Sequence, residues 1–128
     1  MTQTIASVTL IVPDYDAGID FYVGKLGFEL IEDTALSTTK RWVRVAPKGA
    51  ETALLLAKAD DPAQDAAIGH QTGGRVGFFL HTDDFARDHA AMLATGVTFR
   101  ETPRREPYGT VAVFEDPFGN LWDLIEPK

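Results

Sequence analysis

The chain contains no cysteine. That absence excludes disulfides, thiolate metal sites and thiol catalysis, and nothing in it points to an oxidising compartment. No apolar run approaches the length of a membrane span. The first residues, Met1 to Thr4, lack a charged leader and a long apolar stretch, so no signal peptide is expected. Positive charge is scarce, with 12 Lys and Arg against 19 Asp and Glu, a formal net charge of -7. A phosphate backbone would be repelled, and the basic residues form no stripe, so nucleic acid is excluded as a partner. No glycine-rich phosphate cradle follows a strand, and no Gly-x-Ser-x-Gly elbow is present. These absences leave a soluble cytoplasmic protein as the expectation, with neither membrane nor nucleic acid as partner.

What the sequence does have is a repeat. Val8 to Gly27 and Val76 to Gly96 share one order: strand, acidic turn, amphipathic helix, glycine stop, next strand. Such self-similarity has to be found before a fold is argued, because it sets the architecture. The 128 residues, with 45% apolar, suffice for one domain with its own core.

In the first copy, Ile5 to Val12 reads as a strand and Pro13-Asp14 ends it. Asp14 is placed to cap a helix. Ile19, Tyr22, Val23 and Leu26 then line one helical face, and Gly27 supplies the left-handed stop. Strands are expected over Phe28–Glu32, Lys40–Ala46 and Thr52–Ala57. Residues 59–74, rich in alanine, glycine and Asp60-Asp61-Pro62, read as a linker with room for one helical turn.

The second copy runs from a strand over Arg75–Thr82 to a helix capped by Asp83 or Asp84. Phe85, His89, Met92 and Leu93 form its apolar face, and Gly96 stops it. A strand over Val97–Thr102, a polar loop over Pro103–Gly109, and strands over Thr110–Glu115 and Leu121–Glu126 complete the copy. The last two are joined by Asp116-Pro-Phe-Gly-Asn120, a strong turn signal. The fold class is therefore α+β. It is built from two βαβββ modules, about 1–58 and about 75–128, in a single domain with their sheets curled around a cleft.

Three strings carry a resemblance to a known family. They are Asp14-x-x-x-x-Ile19-x-Phe21-Tyr22 with Leu26-Gly27-Phe28, then Thr82-Asp83-Asp84, then the C-terminal run from Phe114 to Ile125. In order and spacing the chain resembles the vicinal oxygen chelate superfamily, which includes glyoxalase I, bleomycin- and fosfomycin-resistance proteins and extradiol dioxygenases. The resemblance implies paired βαβββ modules forming a cleft, often in a homodimer. It also implies metal ligands on four strands, and these positions fall on Ser7, Leu56, Gly77 and Asp123. Only Asp123 binds a cation strongly. One carboxylate makes neither a catalytic zinc site nor a two-His-one-carboxylate iron site, so no metal cofactor of the usual kind is expected.

Strand alternation then suggests a pocket. If Ser7 faces the cleft, so do Thr9 and Ile11; Leu54 with Leu56, Gly77 with Phe79, and Leu121, Asp123 and Ile125 follow the same logic. Trp42 and Arg44 share a face of the third strand, where Trp42 suits stacking on a planar group. Gly77 would leave room beneath a ligand. The alternative is that these aliphatic residues are simply core.

Asp123 sits between apolar neighbours, where burial would raise its pKa and suit a general acid or base. The alternative is a structural carboxylate bonded to the backbone or to Arg44. Of the three histidines, His70 lies in the linker and His89 reads as a packing residue on the helix. His81 shares strand parity with Phe79 and could face the cleft. Trp122, of opposite parity to Asp123, is expected to pack under the helix.

Three functions remain open. The first is a glyoxalase/bleomycin-resistance-like protein that binds a small aromatic or amphipathic molecule without the usual metal. The second is a lyase, isomerase or dioxygenase of the same superfamily that uses Asp123 with an atypical metal or as a metal-free acid–base. The third is a non-catalytic structural or regulatory dimer.

Overall fold

A computed structural model describes residues 2–128. The chain forms two compact units, the first closing at Ile68 and the second opening at Gly69. Each contains one mixed sheet.

The first unit begins with strand β1 (Ser7–Val12) and helix α1 (Tyr15–Ile19), which runs directly into a π-helical turn over Asp20–Lys25. As the acidic turn requires, the Asp14 carboxylate accepts from the Ala17 N–H at 2.9 Å. The widened turn shows in Leu26 N–H donating to Phe21 O at 2.9 Å. Gly27 follows at a φ of 82°. Strands β2 (Glu29–Ala35), β3 (Arg41–Ala46) and β4 (Ala53–Lys58) complete the sheet in the order β1-β4-β3-β2, with β1 parallel to β4 and the other pairs antiparallel. The stretch read as a linker with room for one helical turn does hold a short helix. Asp61 caps the short helix α2 (Pro62–Ala67), which belongs to the first unit.

The core of this unit lies on the helix side of the sheet. Leu10, Val12, Val43, Val45 and Leu56 are fully buried. Gly18 lets α1 approach this layer closely, since a β-carbon there would sit 3.0 Å from a Leu56 methyl and 3.3 Å from a Val12 methyl. Strand β2 forms an edge on which every residue is exposed. It is tied in by Arg41, whose Nε and Nη2 donate to the two Asp33 oxygens at 3.1 and 2.7 Å while Nη1 reaches Asp16 at 2.9 Å.

The second unit repeats the plan with β5 (Phe78–His81), α3 (Phe85–Ala94), β6 (Thr98–Phe99), β7 (Arg104–Glu106), β8 (Gly109–Glu115) and β9 (Leu121–Pro127). Its order is β5-β9-β8-β6, with β5 parallel to β9, and β7 also pairs with β8. Three boundaries differ from expectation, the first being the strand expected over Arg75–Thr82, which covers only Phe78–His81. The strand expected over Val97–Thr102 is only two residues long, and the polar loop contains β7 in a hairpin with β8.

The helix side of this sheet is a file of rings. Phe85 stacks on His89, His89 meets Phe99 edge-on at 4.5 Å, and Phe99, Phe114, Trp122 and Phe78 follow at centroid spacings of 5.6, 5.7 and 4.8 Å. His89 and Trp122 are thus packing residues, as their periodicity suggested. The Asp116–Asn120 turn is held internally. Asp116 Oδ1 accepts from the N–H groups of Phe118 and Asn120 at 3.0 and 2.8 Å, and both Asp116 and Asn120 are buried.

Candidate functional site

Strand register decides which residues share the sheet face turned away from the helix. Paired residues in a ladder project to the same side. In the first unit, Leu10 pairs with Leu56, and both belong to the helix-side core. The other face therefore carries Ser7, Thr9 and Ile11 with their β4 partners Ala53, Leu55 and Ala57. Arg44, the partner of Leu55, lies on that face with Trp42, and so does Glu32, the partner of Arg44.

This corrects one expected site residue. Leu56, with Leu54, points towards α1, and Leu55 takes the place on the open face. The apolar run from Ala53 to Ala57 has no polar alternation, so nothing in its sequence marked which parity was inward.

Arg44 organises the open face of the first sheet. It lies across β4, with Nε donating to Ser7 Oγ at 2.9 Å, Nη2 to the Ala6 carbonyl at 3.2 Å and Nη1 to Glu32 at 2.8 Å. Ser7 is therefore engaged by a guanidinium. Beside this network Trp42 keeps 40% of its surface exposed and Thr9 is exposed.

In the second unit Phe79, Asp123 and Val113 form one row across β5, β9 and β8. They share the face opposite the aromatic file. The neighbouring row is His81, Ile125, Val111 and Arg104. Phe79 is 61% exposed, a large ring left uncovered. His81 is exposed on the same face. Gly77 precedes β5 on this parity, but the room expected beneath it is filled: a β-carbon there would lie 2.5 Å from the Thr72 methyl.

Asp123 is the chemically distinctive member of this row. Among the described residues, its Oδ1 is buried without a hydrogen-bond partner. Desolvation raises its pKa above the ordinary carboxylate value; the positive charge of Arg104 opposes this, and the negative charge of Glu101 adds to it. Within the first unit Arg44 is committed to Ser7, Ala6 and Glu32.

Glu101 was not among the expected site residues, and Arg104 was expected in a polar loop. The hairpin places Arg104 on the sheet, and Glu101 substitutes for a missing stretch of strand by accepting the Val113 N–H at 2.9 Å. Arg104 Nε in turn lies 3.0 Å from both Glu101 oxygens, and its Nη1 is 2.9 Å from Glu106. Among the described residues no three His, Cys, Asp or Glu side chains come together to hold a metal ion, and no helix is long and apolar enough to cross a membrane.

The two modules are equivalent in register. Thr9 lies five residues before the helix-capping Asp14 and pairs with Leu55; Phe79 lies five before the helix-capping Asp84 and pairs with Asp123. A family model for the glyoxalase/bleomycin resistance protein/dioxygenase superfamily matches residues 4–124. The chain belongs to this superfamily.

Among its relatives, an uncharacterized protein of Shewanella frigidimarina (strain NCIMB 400) is 54% identical over 98% of this chain and 95% of its own length. TnmS3, an antibiotic binding protein from Streptomyces sp. CB03234, is 34% identical with a TM-score of 0.80, covering 99% of this chain and 98% of that one. UcmS2 is 32% identical with a TM-score of 0.84, covering 98% and 99% respectively.

Proposed function

We propose that this superfamily member binds a small organic molecule with an aromatic or amphipathic body on the sheet face turned away from α3, and sequesters it without a bound divalent metal. The observation that carries the reading is the row in which the exposed Phe79 ring lies beside Asp123, whose Oδ1 lacks a partner among the described residues. An apolar surface with a few polar handles is the usual make-up of a small-molecule site. The full-length similarity to an antibiotic binding protein supports the same reading.

The donor chemistry at the superfamily's metal positions does not fit a divalent ion. Ser7 Oγ already accepts from a guanidinium, the β4 position offers only leucine, Gly77 has no side chain, and Asp123 remains alone. The protein functions in the cytoplasm as a homodimer; the lack of cysteine supports the compartment, and exposed Leu30, Ile31 and Leu36 near the β2 edge support the association.

Thermal unfolding against a panel of polycyclic aromatic compounds tests the reading, with elemental analysis of protein purified without a metal-affinity tag. A ligand that binds only the folded state at 100 times its Kd adds about 2.7 kcal/mol, a clear rise in Tm. No stabilising compound, or stoichiometric metal, would sink it. Turnover that disappears in Asp123→Asn would instead favour metal-free acid–base chemistry, a reading that the raised pKa of Asp123 keeps in play.

A further inference from the structure

We infer that the second-unit face selects a cationic ligand: an apolar body lies on Phe79 and a protonated amine reaches Asp123. The inference rests on the binding reading above and deepens it by naming the charge of the ligand. Its basis is an imbalance of charge around one orphaned oxygen. Arg104 is the cation whose charge bears on Asp123, and its guanidinium is already shared between Glu101 at 3.0 Å and Glu106 at 2.9 Å. Counted together, these four side chains carry two more negative charges than positive when ionised (three carboxylates, one guanidinium).

Asp123 Oδ1 is withdrawn from solvent and has no donor among the described residues. A buried polar atom without a partner is unfavourable, and a ligand donor that satisfies it recovers that deficit on binding. A charged donor does so more strongly than a neutral one, because charge-assisted hydrogen bonds are shorter and stronger and the site is partly dehydrated. An anionic ligand would meet an unpaired carboxylate.

Phe79, the register partner of Asp123 on β5, adds an exposed ring at the same level of the sheet. Its face suits an aromatic body. Among molecules that lie against Phe79, charge thus becomes the discriminating property.

The test uses three probes with one apolar body: 2-naphthylmethylamine, 2-naphthylmethanol and 2-naphthoate, titrated into the full chain at neutral pH by calorimetry and amide NMR. The amine is expected to bind about tenfold more tightly than the alcohol, with naphthoate weakest. Asp123→Asn should reduce the advantage of the amine to within about twofold. Phe79→Ala should weaken all three probes alike.

Raising the ionic strength of the wild-type titration from about 0.05 to about 0.5 M should narrow the gap between amine and alcohol, a readout that needs no variant to fold. Equal affinities for amine and alcohol overturn the inference and leave the binding reading standing. An advantage that persists in Asp123→Asn, or that ignores salt, overturns it too. If none of the probes binds, both the inference and the binding reading fall.

Discussion

Arg44 donates its Nε to Ser7 Oγ across 2.9 Å, bridging β3 and β1 over the intervening strand β4. The same guanidinium holds Glu32 on the edge strand, so one side chain touches both margins of the first sheet. Arg44→Met keeps most of the stem and removes these bonds. It should lower unfolding stability by about 1 kcal/mol, the scale of a charge-assisted pair in partial solvent. Ser7→Ala should cost about 0.5 kcal/mol, since it removes one of several acceptors. The double variant should be about as stable as Arg44→Met alone, because the two residues share one interaction; a further loss of about 0.5 kcal/mol would mean that they act independently. Urea unfolding of the three variants measures this.

Asp123 should make stability depend on pH in an unusual direction. Its folded pKa lies above the unfolded value because desolvation disfavours the charge, with Arg104 opposing and Glu101 adding to the rise. The folded state therefore holds its proton more tightly than the unfolded chain. This contribution is lost as pH rises through the window between the unfolded and folded values, and regained as pH falls back through it. Paired carboxylates such as Asp33 and Asp88, held below their ordinary values first by bonds from Arg41 and Arg87, act in the opposite sense. Asp123→Asn should raise Tm at pH 7, and the gain should shrink in mildly acidic buffer. A calorimetric Tm that stays level or falls at pH 7 counts against the desolvated charge.

Helix α3 is anchored by a residue from the far end of its unit. The N–H of Phe85 donates to Glu126 Oε1 at 2.7 Å, while Asp84 Oδ1 accepts from Arg87 N–H at 3.0 Å. Two otherwise orphaned helix donors are satisfied by two separate carboxylates. Glu126→Ala should cost about 1 kcal/mol and Glu126→Gln clearly less, since the amide oxygen can still accept. Hydrogen exchange should accelerate at Phe85 in the alanine variant and leave the amides of β8 protected.

Two glycines should respond oppositely to the same substitution. Gly69 has a φ of 73°, and a β-carbon there would come 2.1 Å from the Phe118 carbonyl oxygen. Gly69→Ala should destabilise by about 2–4 kcal/mol, through backbone strain and steric overlap with the adjoining turn. Gly24, in the turn after α1, meets nothing within 4 Å and does not have a positive φ. Gly24→Ala should stabilise by about 0.5–1 kcal/mol by restricting the unfolded chain. Equilibrium denaturation of both variants decides the pair.

Much of the scaffold was legible because local chemistry announced it. Asp14 and Asp84 cap helices where an acid follows a strand, Gly27 and Gly96 take positive φ where the apolar period stops, and Asp116 to Asn120 turns as its residues require. The register of β4 was not legible. Five consecutive apolar residues carry no alternation, and only pairing with β1 and β3 puts Leu55 rather than Leu56 on the open face. The π-helical turn was hidden because the i, i+3, i+4 spacing of Ile19, Tyr22 and Val23 fits either winding. Asp123 stood out as an acid among apolar neighbours. Its surroundings did not, since Arg104 lies in a stretch that reads as a polar loop and reaches the sheet only through the β7–β8 hairpin, while Glu101, at the end of an expected strand, joins it by accepting the Val113 N–H.

The aromatic file beneath α3 occupies one side of the second sheet, and the Phe79–Asp123–Val113 row occupies the other. Neighbouring residues on one strand therefore answer to different physical constraints. Trp122 is constrained by the rings it stacks on, while Asp123, one position later, can change without disturbing that stack. The division separates the side that holds the second unit together from the side proposed to meet a ligand, so a substitution at Phe79 or Asp123 can alter the second without touching the rings of the first.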